Sequence, residues 1–104
     1  MPNAVFYNSY KLKKGASVPE FLQAIDNLSE QIKQNKGFIS TALLREGDKW
    51  ADYSTWETME DLQAFLEAAQ ENKTDLAEKF YSYLDFKTCV SRVYSVEKTW
   101  CAEG

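Results

Sequence analysis

The chain has 104 residues, with 16 acidic side chains against 12 basic ones and no histidine. This length fits one domain, expected to span residues 1–104, and the net charge of −4 without a basic stripe argues against nucleic acid as a partner. The lack of imidazole excludes Ser-His and Cys-His catalytic relays and any haem, zinc or copper site that needs a histidine ligand.

The sequence shows no pattern of a signal peptide or a membrane-spanning segment, so we expect a cytoplasmic protein. The stretch MPNAVFYNSYKLKK lacks the basic and apolar regions of a signal peptide, and no apolar run reaches membrane-spanning length. Cys89 and Cys101 are too few for a disulfide framework and lack CxxC spacing. We therefore expect two free thiols, no membrane partner, no metal and no cofactor.

The first part of the chain predicts a strand followed by a helix. Residues 4–12, AVFYNSYKL, alternate roughly in steps of two and favour a half-buried strand. Ser17 and Glu20 have the spacing of a capping box, so a helix is expected to begin there. Gly37 supplies the left-handed residue that commonly ends a helix.

The middle of the chain predicts a hairpin and a second helical region. Residues 38–46 (FISTALLRE) and 50–57 (WADYSTWE) read as strands that turn at Gly47, and so short a connection requires antiparallel pairing. Thr58, with Asp61 three residues later, predicts the start of another helix.

The last part of the chain predicts more helix and a final strand. Residues 70–73 (QENK) interrupt the apolar face, and Thr74 is placed to cap a further helical segment. The two segments are either separate helices or one bent helix. Residues 86–100, FKTCVSRVYSVEKTW, are rich in Val and Tyr and favour a strand.

The element order β-α-β-β-α-β predicts an α+β protein with the ferredoxin-like fold, in which helices cover one face of a four-stranded antiparallel sheet. The uncovered face is expected to carry apolar side chains, namely Val5, Tyr7, Ile39, Leu43, Tyr53 and Val93. Because such a face is a large hydrophobic patch, we expect a second copy to cover it in a homodimer.

Residues 35–69, NKGFISTALLREGDKWADYSTWETMEDLQAFLEAA, resemble the antibiotic biosynthesis monooxygenase domain of the dimeric α+β barrel superfamily. The resemblance implies a barrel formed by two copies and a pocket between sheet and helices. It also implies roles for an Asn on the first strand and a Trp, matched here by Asn8 and Trp56. Haem-degrading relatives use a histidine ligand on the second helical region, so haem degradation is not expected.

Asp52 is the candidate base. Counting by twos, it shares one face of the third strand with Trp50 and Trp56. If this face meets the helices, burial raises the pKa of Asp52 and suits it to accept a proton. If the strand twists out near the hairpin, Asp52 is an ordinary surface acid.

Two further polar residues are candidates for stabilising negative charge on a substrate. The Asn8 amide offers donors for a carbonyl or a developing oxyanion, or its groups are satisfied by neighbouring backbone. Arg92, on the last strand, is suited to hold an anionic oxygen or, alternatively, to pair with a neighbouring acid.

Aromatic residues supply the candidate substrate-binding surface. We expect Tyr10, Phe65 and Tyr81 to contact a flat aromatic ligand, although helical spacing alone also explains Phe65 as core. Trp56 is expected to close the core at the edge of the sheet and also to border the pocket.

Two functions stay open from the sequence. The first is a cofactor-independent monooxygenase acting on a small phenol- or hydroquinone-like substrate, which needs orientation and anion stabilisation rather than histidine. The second is a non-catalytic or stress-associated dimeric protein that binds a small apolar or aromatic molecule. A metal or haem protein is disfavoured, because no spacing of carboxylates or thiols marks a ligand loop.

Overall fold

The computed structural model describes residues 2–102, so residues 1 and 103–104 of the predicted domain lie outside the described part. Its elements, in chain order, are β1 (Ala4–Leu12), α1 (Val18–Ile32), β2 (Phe38–Glu46), β3 (Lys49–Trp56), α2 (Met59–Glu71), α3 (Asp75–Tyr81) and β4 (Leu84–Ser95). This is the predicted ferredoxin-like order, with the second helical region formed by two helices. No helix within residues 2–102 is both long and apolar enough to cross a membrane.

Each helix begins where a hydroxyl side chain satisfies a free backbone amide. The side-chain oxygens of Ser17, Thr58 and Thr74 accept hydrogen bonds from the amide three residues on, at 3.3, 3.0 and 3.2 Å. Between α2 and α3 the backbone leaves the helical conformation at Asn72, with φ −129° and ψ 77°. The chain therefore turns at Asn72, and Thr74 starts a new helix.

The sheet has the strand order β2-β3-β1-β4, and all neighbouring strands are antiparallel. In the register of the central pair, Tyr10 lies opposite Trp50, Asn8 opposite Asp52, Phe6 opposite Ser54 and Ala4 opposite Trp56. These four rows point towards the helices, since Tyr10 and Trp50 pack with Phe21 of α1 and Trp56 packs with Leu62 of α2.

The hydrophobic core forms two separate clusters at opposite ends of these rows. One consists of buried Tyr10, Phe21, Trp50, Phe80 and Leu84. The other consists of buried Ala4, Trp56 and Leu62. The two middle rows of the sheet, which carry Asn8 and Asp52 and then Phe6 and Ser54, lie between the clusters and form the floor of a cavity.

Two residues expected on the uncovered face of the sheet lie on the helix-facing side. Leu43 pairs with Asp52 and packs against the larger core cluster, and Val93 pairs with Phe6. A register shift between Phe38 and Ser40 interrupts the pairing of β2, so counting by twos from Ile39 assigns Leu43 to the wrong face. The face of Val93 is set by its pairing with β1, which the sequence alone does not give. By register the uncovered face instead presents Val5, Tyr7, Leu44, Tyr53, Val90 and Tyr94.

Candidate active site

A cavity of about 720 Å³ lies between the sheet and the helices. Its volume is within the range of pockets that hold drug-sized ligands. Its apolar lining comes from Phe6 on the floor and, around it, Leu28, Ile32, Phe65, Leu66, Tyr81 and Phe86. Carboxamide side chains also line it, namely Asn8, Gln31, Asn35, Gln70 and Asn72. A cavity with apolar surface and polar side chains that can orient a ligand is the usual form of a small-molecule site.

A chain of hydrogen bonds is centred on the Asp52 carboxylate. Asn8 Nδ2 donates to Asp52 Oδ1 at 3.1 Å, and the Tyr10 hydroxyl donates to Asp52 Oδ2 at 2.6 Å. Ser91 Oγ donates in turn to Asn8 Oδ1 at 2.6 Å. Each carboxylate oxygen therefore has one protein donor, and Asn8 keeps its second amide hydrogen for another acceptor.

Burial dominates the electrostatics of this carboxylate. Desolvation raises the pKa of Asp52, while the hydrogen bonds from Tyr10 and Asn8 act in the opposite direction. Burial, and then the negative charge of Asp52, raise the pKa of Tyr81. Within residues 2–102 no lysine or arginine forms an ion pair with Asp52. Asp52 is thus a partly buried acid with an increased affinity for a proton.

Four of the residues predicted for the site, Asn8, Asp52, Phe65 and Tyr81, line the cavity. Asn8 and Asp52 meet because β1 and β3 place them directly opposite each other. Asp52 therefore faces the helices, and the alternative of an ordinary surface acid does not hold.

Trp56 is behind the cavity wall rather than on its surface. The residue is fully buried, its indole N–H donates to Ser54 Oγ at 2.9 Å, and its ring stacks on Phe65 with centroids 4.9 Å apart. Trp56 closes the core as expected. The expectation that it also borders the pocket is wrong, because Phe65 lines the cavity and Trp56 does not.

Tyr10 and Arg92 also lie outside the cavity lining. Tyr10 is only 2% exposed, and its hydroxyl is occupied by Asp52, so it is a neighbour of the carboxylate rather than a ligand-contacting residue. Arg92 pairs with Tyr7 on the uncovered face of the sheet, and its guanidinium donates to the Ser91 carbonyl at 3.0 Å. Direct contact of Arg92 with a substrate in this cavity is therefore ruled out by its side of the sheet.

The sequence interpretation did not include Ser91 or Phe6 among the site residues. Phe6 shares the alternation of Asn8 and Tyr10, so its position on the cavity floor follows from that pattern. Ser91 meets Asn8 only through the pairing of β1 with β4, which the sequence does not fix.

The cysteines and the acidic residues form no metal site in the described chain. Cys89 and Cys101 are free, as predicted. Burial raises the pKa of Cys89, and the nearby charge of Asp85 adds to this effect. Across residues 2–102, no three His, Cys, Asp or Glu side chains are grouped in a way that would hold a metal ion.

Comparisons with solved structures show the same fold. SnoaB, a cofactor-independent oxygenase from Streptomyces nogalater, is 17% identical with a TM-score of 0.76, covering 95% of this chain and 97% of that one. A heme-degrading protein from Mycobacterium tuberculosis is 17% identical with a TM-score of 0.68, covering 97% and 98%. A dimeric ferredoxin-like protein from an uncultured marine organism is 14% identical with a TM-score of 0.70, covering 99% and 95%.

A comparison with curated proteins gives no match. The family described as antibiotic biosynthesis monooxygenase matches residues 5–82, which is most of the chain and includes all of β1 except Ala4 and every element from α1 to α3. The fold, the cavity between sheet and helices and this match together show that the chain belongs to the antibiotic biosynthesis monooxygenase family.

Proposed function

We propose that this protein is a cofactor-independent monooxygenase that oxidises a phenol- or hydroquinone-like aromatic molecule in the cavity. The observation that carries the proposal is the Asp52 carboxylate, which lines an otherwise largely apolar chamber and has a raised pKa due to burial. A carboxylate in this setting is a stronger base than one in water. The oxygenase activity of SnoaB, a protein of the same fold, is consistent with this assignment.

In the proposed reaction, ionised Asp52 accepts the proton of the substrate hydroxyl. The second amide hydrogen of Asn8 then donates to the resulting phenolate oxygen, because Asn8 lines the cavity beside Asp52 and uses only one amide hydrogen for the carboxylate. The proton moves to a group that is already poorly solvated, so the neutral acid formed is favoured by the same burial.

Dioxygen is the oxidant and the second substrate. The phenolate gives one electron to dioxygen, and the two radicals combine to form a carbon–oxygen bond on the ring. The resulting peroxide takes up the proton held by Asp52, which restores the carboxylate. Its oxygen–oxygen bond then breaks as the hydrogen on the same ring carbon leaves as a proton, and water is released. One oxygen atom stays on the ring as a quinone oxygen and the other leaves as water, so the ring loses the four electrons that dioxygen gains.

Apolar side chains are proposed to hold the aromatic body of the substrate. Phe6, Phe65 and Phe86 line the cavity and offer ring surfaces suited to offset stacking. A single phenol ring fills only a small part of about 720 Å³, so the preferred substrate is expected to be larger than phenol itself.

Oxygen uptake with a panel of phenols and hydroquinones of increasing size tests the proposal, with isotopically labelled dioxygen used to follow transfer to the product. Asp52→Asn is expected to lower kcat/KM by about 100-fold or more, since the general base is lost. Asn8→Ala is expected to lower kcat by about 100-fold while the protein remains folded.

The matched control is Asp48→Asn, which removes an acid that is 81% exposed and lies outside this cavity. It should leave the rate unchanged. Oxygen transfer that persists in Asp52→Asn contradicts the proposed base. Ligands that bind tightly but cause no oxygen uptake across the panel would instead favour the alternative of a non-catalytic small-molecule-binding protein.

We also propose that the protein is a homodimer. The uncovered face of the sheet carries Val5, Tyr7 and Tyr53 on its central strands. On the outer strands of that face, Leu44 is 48% exposed, Val90 is 40% exposed and Tyr94 is 52% exposed. A patch of this kind is typical of an interface between copies.

A further inference from the structure

We propose that Tyr10 is a positioning residue that holds the Asp52 carboxylate ionised and fixed in direction for proton transfer. The inference rests on the proposed function, and in it Tyr10 acts on Asp52 and does not contact the substrate. It is carried by one short hydrogen bond, 2.6 Å from the Tyr10 hydroxyl to Asp52 Oδ2.

The Tyr10 ring is fixed by packing against two aromatic rings of the core. It meets the rings of Phe21 and Phe80 edge-on, with centroid distances of 6.2 and 5.9 Å, and the residue is 2% exposed. A buried hydroxyl needs a partner, and Asp52 supplies it. The donor therefore comes from a rigid core cluster, whereas the carboxylate it holds is at the edge of the cavity.

This hydrogen bond has two consequences for Asp52. A donor to a carboxylate stabilises the charged form, which opposes the effect of burial and leaves more of the base ready to accept a proton. Because Tyr10 binds Oδ2 and Asn8 binds Oδ1, rotation of the carboxylate about its own axis also breaks a hydrogen bond.

Four other ionisable groups lie near this cluster or along the cavity. Tyr81 of α3 and Cys89 of β4 interact electrostatically with this cluster, and Lys73 and Glu78 stand at the cavity lining. Tyr81 and Cys89 are neutral at moderate pH, since the pKa of each is raised. None of these four groups donates a hydrogen bond to Asp52 within residues 2–102, whereas Tyr10 and Asn8 do.

The test is Tyr10→Phe, which removes the hydroxyl and keeps the ring packed against Phe21 and Phe80. The acid limb of the kcat/KM profile is expected to move to higher pH, and the rate at acidic pH is expected to fall on the order of tenfold. The alkaline plateau and KM should change little. A variant that loses the same factor at every pH, or keeps the wild-type midpoint, overturns the proposal.

Tyr83→Phe is the matched control. Tyr83 packs against the same core cluster and meets Phe21 edge-on at 6.4 Å, but its hydroxyl makes no hydrogen bond to Asp52. Loss of that hydroxyl should leave the pH profile unchanged. A shift equal to that of Tyr10→Phe would mean that any change in this cluster moves the profile, and the specific role of Tyr10 would be lost.

A measurement without turnover separates this inference from the proposed reaction. Titration of the Asp52 side-chain carboxyl by carbon NMR should give a higher midpoint in Tyr10→Phe than in wild type and in Tyr83→Phe. If no substrate is oxidised, the proposed function fails while this titration still decides the role of Tyr10. If Tyr10→Phe does not fold, the wild-type protein should show a slowly exchanging tyrosine hydroxyl proton that Asp52→Asn abolishes, and its absence contradicts the proposal.

Discussion

At the residue scale, Asp52 shows how a partly buried carboxylate can be held by neutral hydrogen-bond donors without a paired lysine or arginine in the described residues. Two neutral donors, Tyr10 and Asn8, share the negative charge at 2.6 and 3.1 Å. Neutral donors stabilise the carboxylate less than a lysine or arginine would, and burial still raises its pKa. The ionised form of Asp52 is therefore less stable than that of a carboxylate in water, and this difference is the source of the proposed basicity.

The raised pKa of Asp52 also predicts how the stability of the fold depends on pH. Because the pKa of Asp52 is raised on folding, the folded chain binds this proton more tightly than the unfolded chain. The contribution of Asp52 to stability is therefore full below the ordinary carboxyl pKa and is lost as the pH rises through the folded value. Asp52→Asn should remove this dependence, so that wild type becomes less stable relative to the variant as pH increases.

Urea unfolding of both proteins over a series of pH values measures this difference. Asp48→Asn, an exposed change of equal charge, is the control and should follow wild type. A constant difference between wild type and Asp52→Asn across the acid range would show that Asp52 titrates alike in the folded and unfolded chain.

How far individual residues could be predicted depended on what decides their position. The faces of Asn8 and Asp52 followed from counting by twos along central strands, where the pairing of β1 with β3 has no register shift. Arg92 was misjudged because its face depends on the register of β4 with β1, which the sequence alone does not give. For Trp56, the predicted burial is confirmed, because a large apolar side chain is usually buried. The predicted contact with the pocket is wrong, because Phe65 stacks between Trp56 and the cavity, and this packing depends on the tertiary structure.

At the element scale, the junction of α1 with β2 depends on a glycine. Gly37 has φ +83°, and a Cβ built there would overlap the Asp61 side chain in the first turns of α2. The Gly37 carbonyl also accepts a hydrogen bond from the Glu57 amide at 2.8 Å. The end of α1 is thus tied both to the end of β3 and to the start of α2.

Gly37→Ala is expected to destabilise the fold by about 3 kcal/mol, from left-handed strain plus the clash with Asp61. Chemical unfolding measures the loss. Gly15→Ala, at φ +81° with open space around it, should lose only about 1 kcal/mol and isolates the backbone term. Equal losses for the two variants would show that Asp61 moves aside freely.

The break between α2 and α3 places Thr74 and Gln31 together at the edge of the cavity, which we call the cavity rim. Thr74 Oγ1 caps α3 and also donates to Gln31 Oε1 of α1 at 2.9 Å. Both residues line the cavity. This hydroxyl therefore couples the start of α3 to the adjacent wall of the cavity formed by α1, which an ordinary cap does not do.

Thr74→Ala is expected to lower stability by about 1 kcal/mol and to speed amide hydrogen exchange in α3 and near Gln31. Ser17→Ala removes an equivalent cap from α1, outside the cavity lining, and should give a similar loss of stability without faster exchange in α3. If both variants leave α3 exchange unchanged, the link between the two helices contributes nothing to the rim.

The elements themselves were largely predictable, because their signals are local. The caps at Ser17, Thr58 and Thr74 and the positive-φ glycines at 37 and 47 mark boundaries directly. The sequence left two alternatives for the second helical region, two helices or one bent helix. It did not decide between them because many sequences can adopt the non-helical backbone conformation found at Asn72. The last strand ends at Ser95 instead of residue 100, since nothing in the Val and Tyr pattern marks where pairing stops.

At the scale of the whole molecule, the two faces of the sheet have different surroundings. The helix-facing side holds two core clusters with the cavity between them. The uncovered side has no helix over it within the described residues, yet it carries Tyr7 and Tyr53 directly opposite each other on the central strands. Burial of such a surface against a second copy stabilises the fold by removing apolar area from water.

Adjacent residues on β4 allow this proposal to be tested on one strand. Tyr94 pairs with Val5 on the uncovered face, and Val93 pairs with Phe6 on the opposite face. Tyr94→Asp places a charge in the proposed interface and should raise the dimer dissociation constant by about 100-fold or more, because burying an unpaired charge is costly. Val93→Asp adds the same charge on the same strand and should leave the dissociation constant near that of wild type.

Sedimentation equilibrium over a range of protein concentrations gives both constants, and circular dichroism checks that each variant is folded. The contrast between neighbours removes strand propensity and net charge as explanations, since both variants change a β-forming residue to Asp within β4. A wild-type chain that remains a monomer at micromolar concentration contradicts the homodimer. Equal weakening by both variants would place the contact elsewhere than on the uncovered face, because only Tyr94 of the two lies on that side of the sheet.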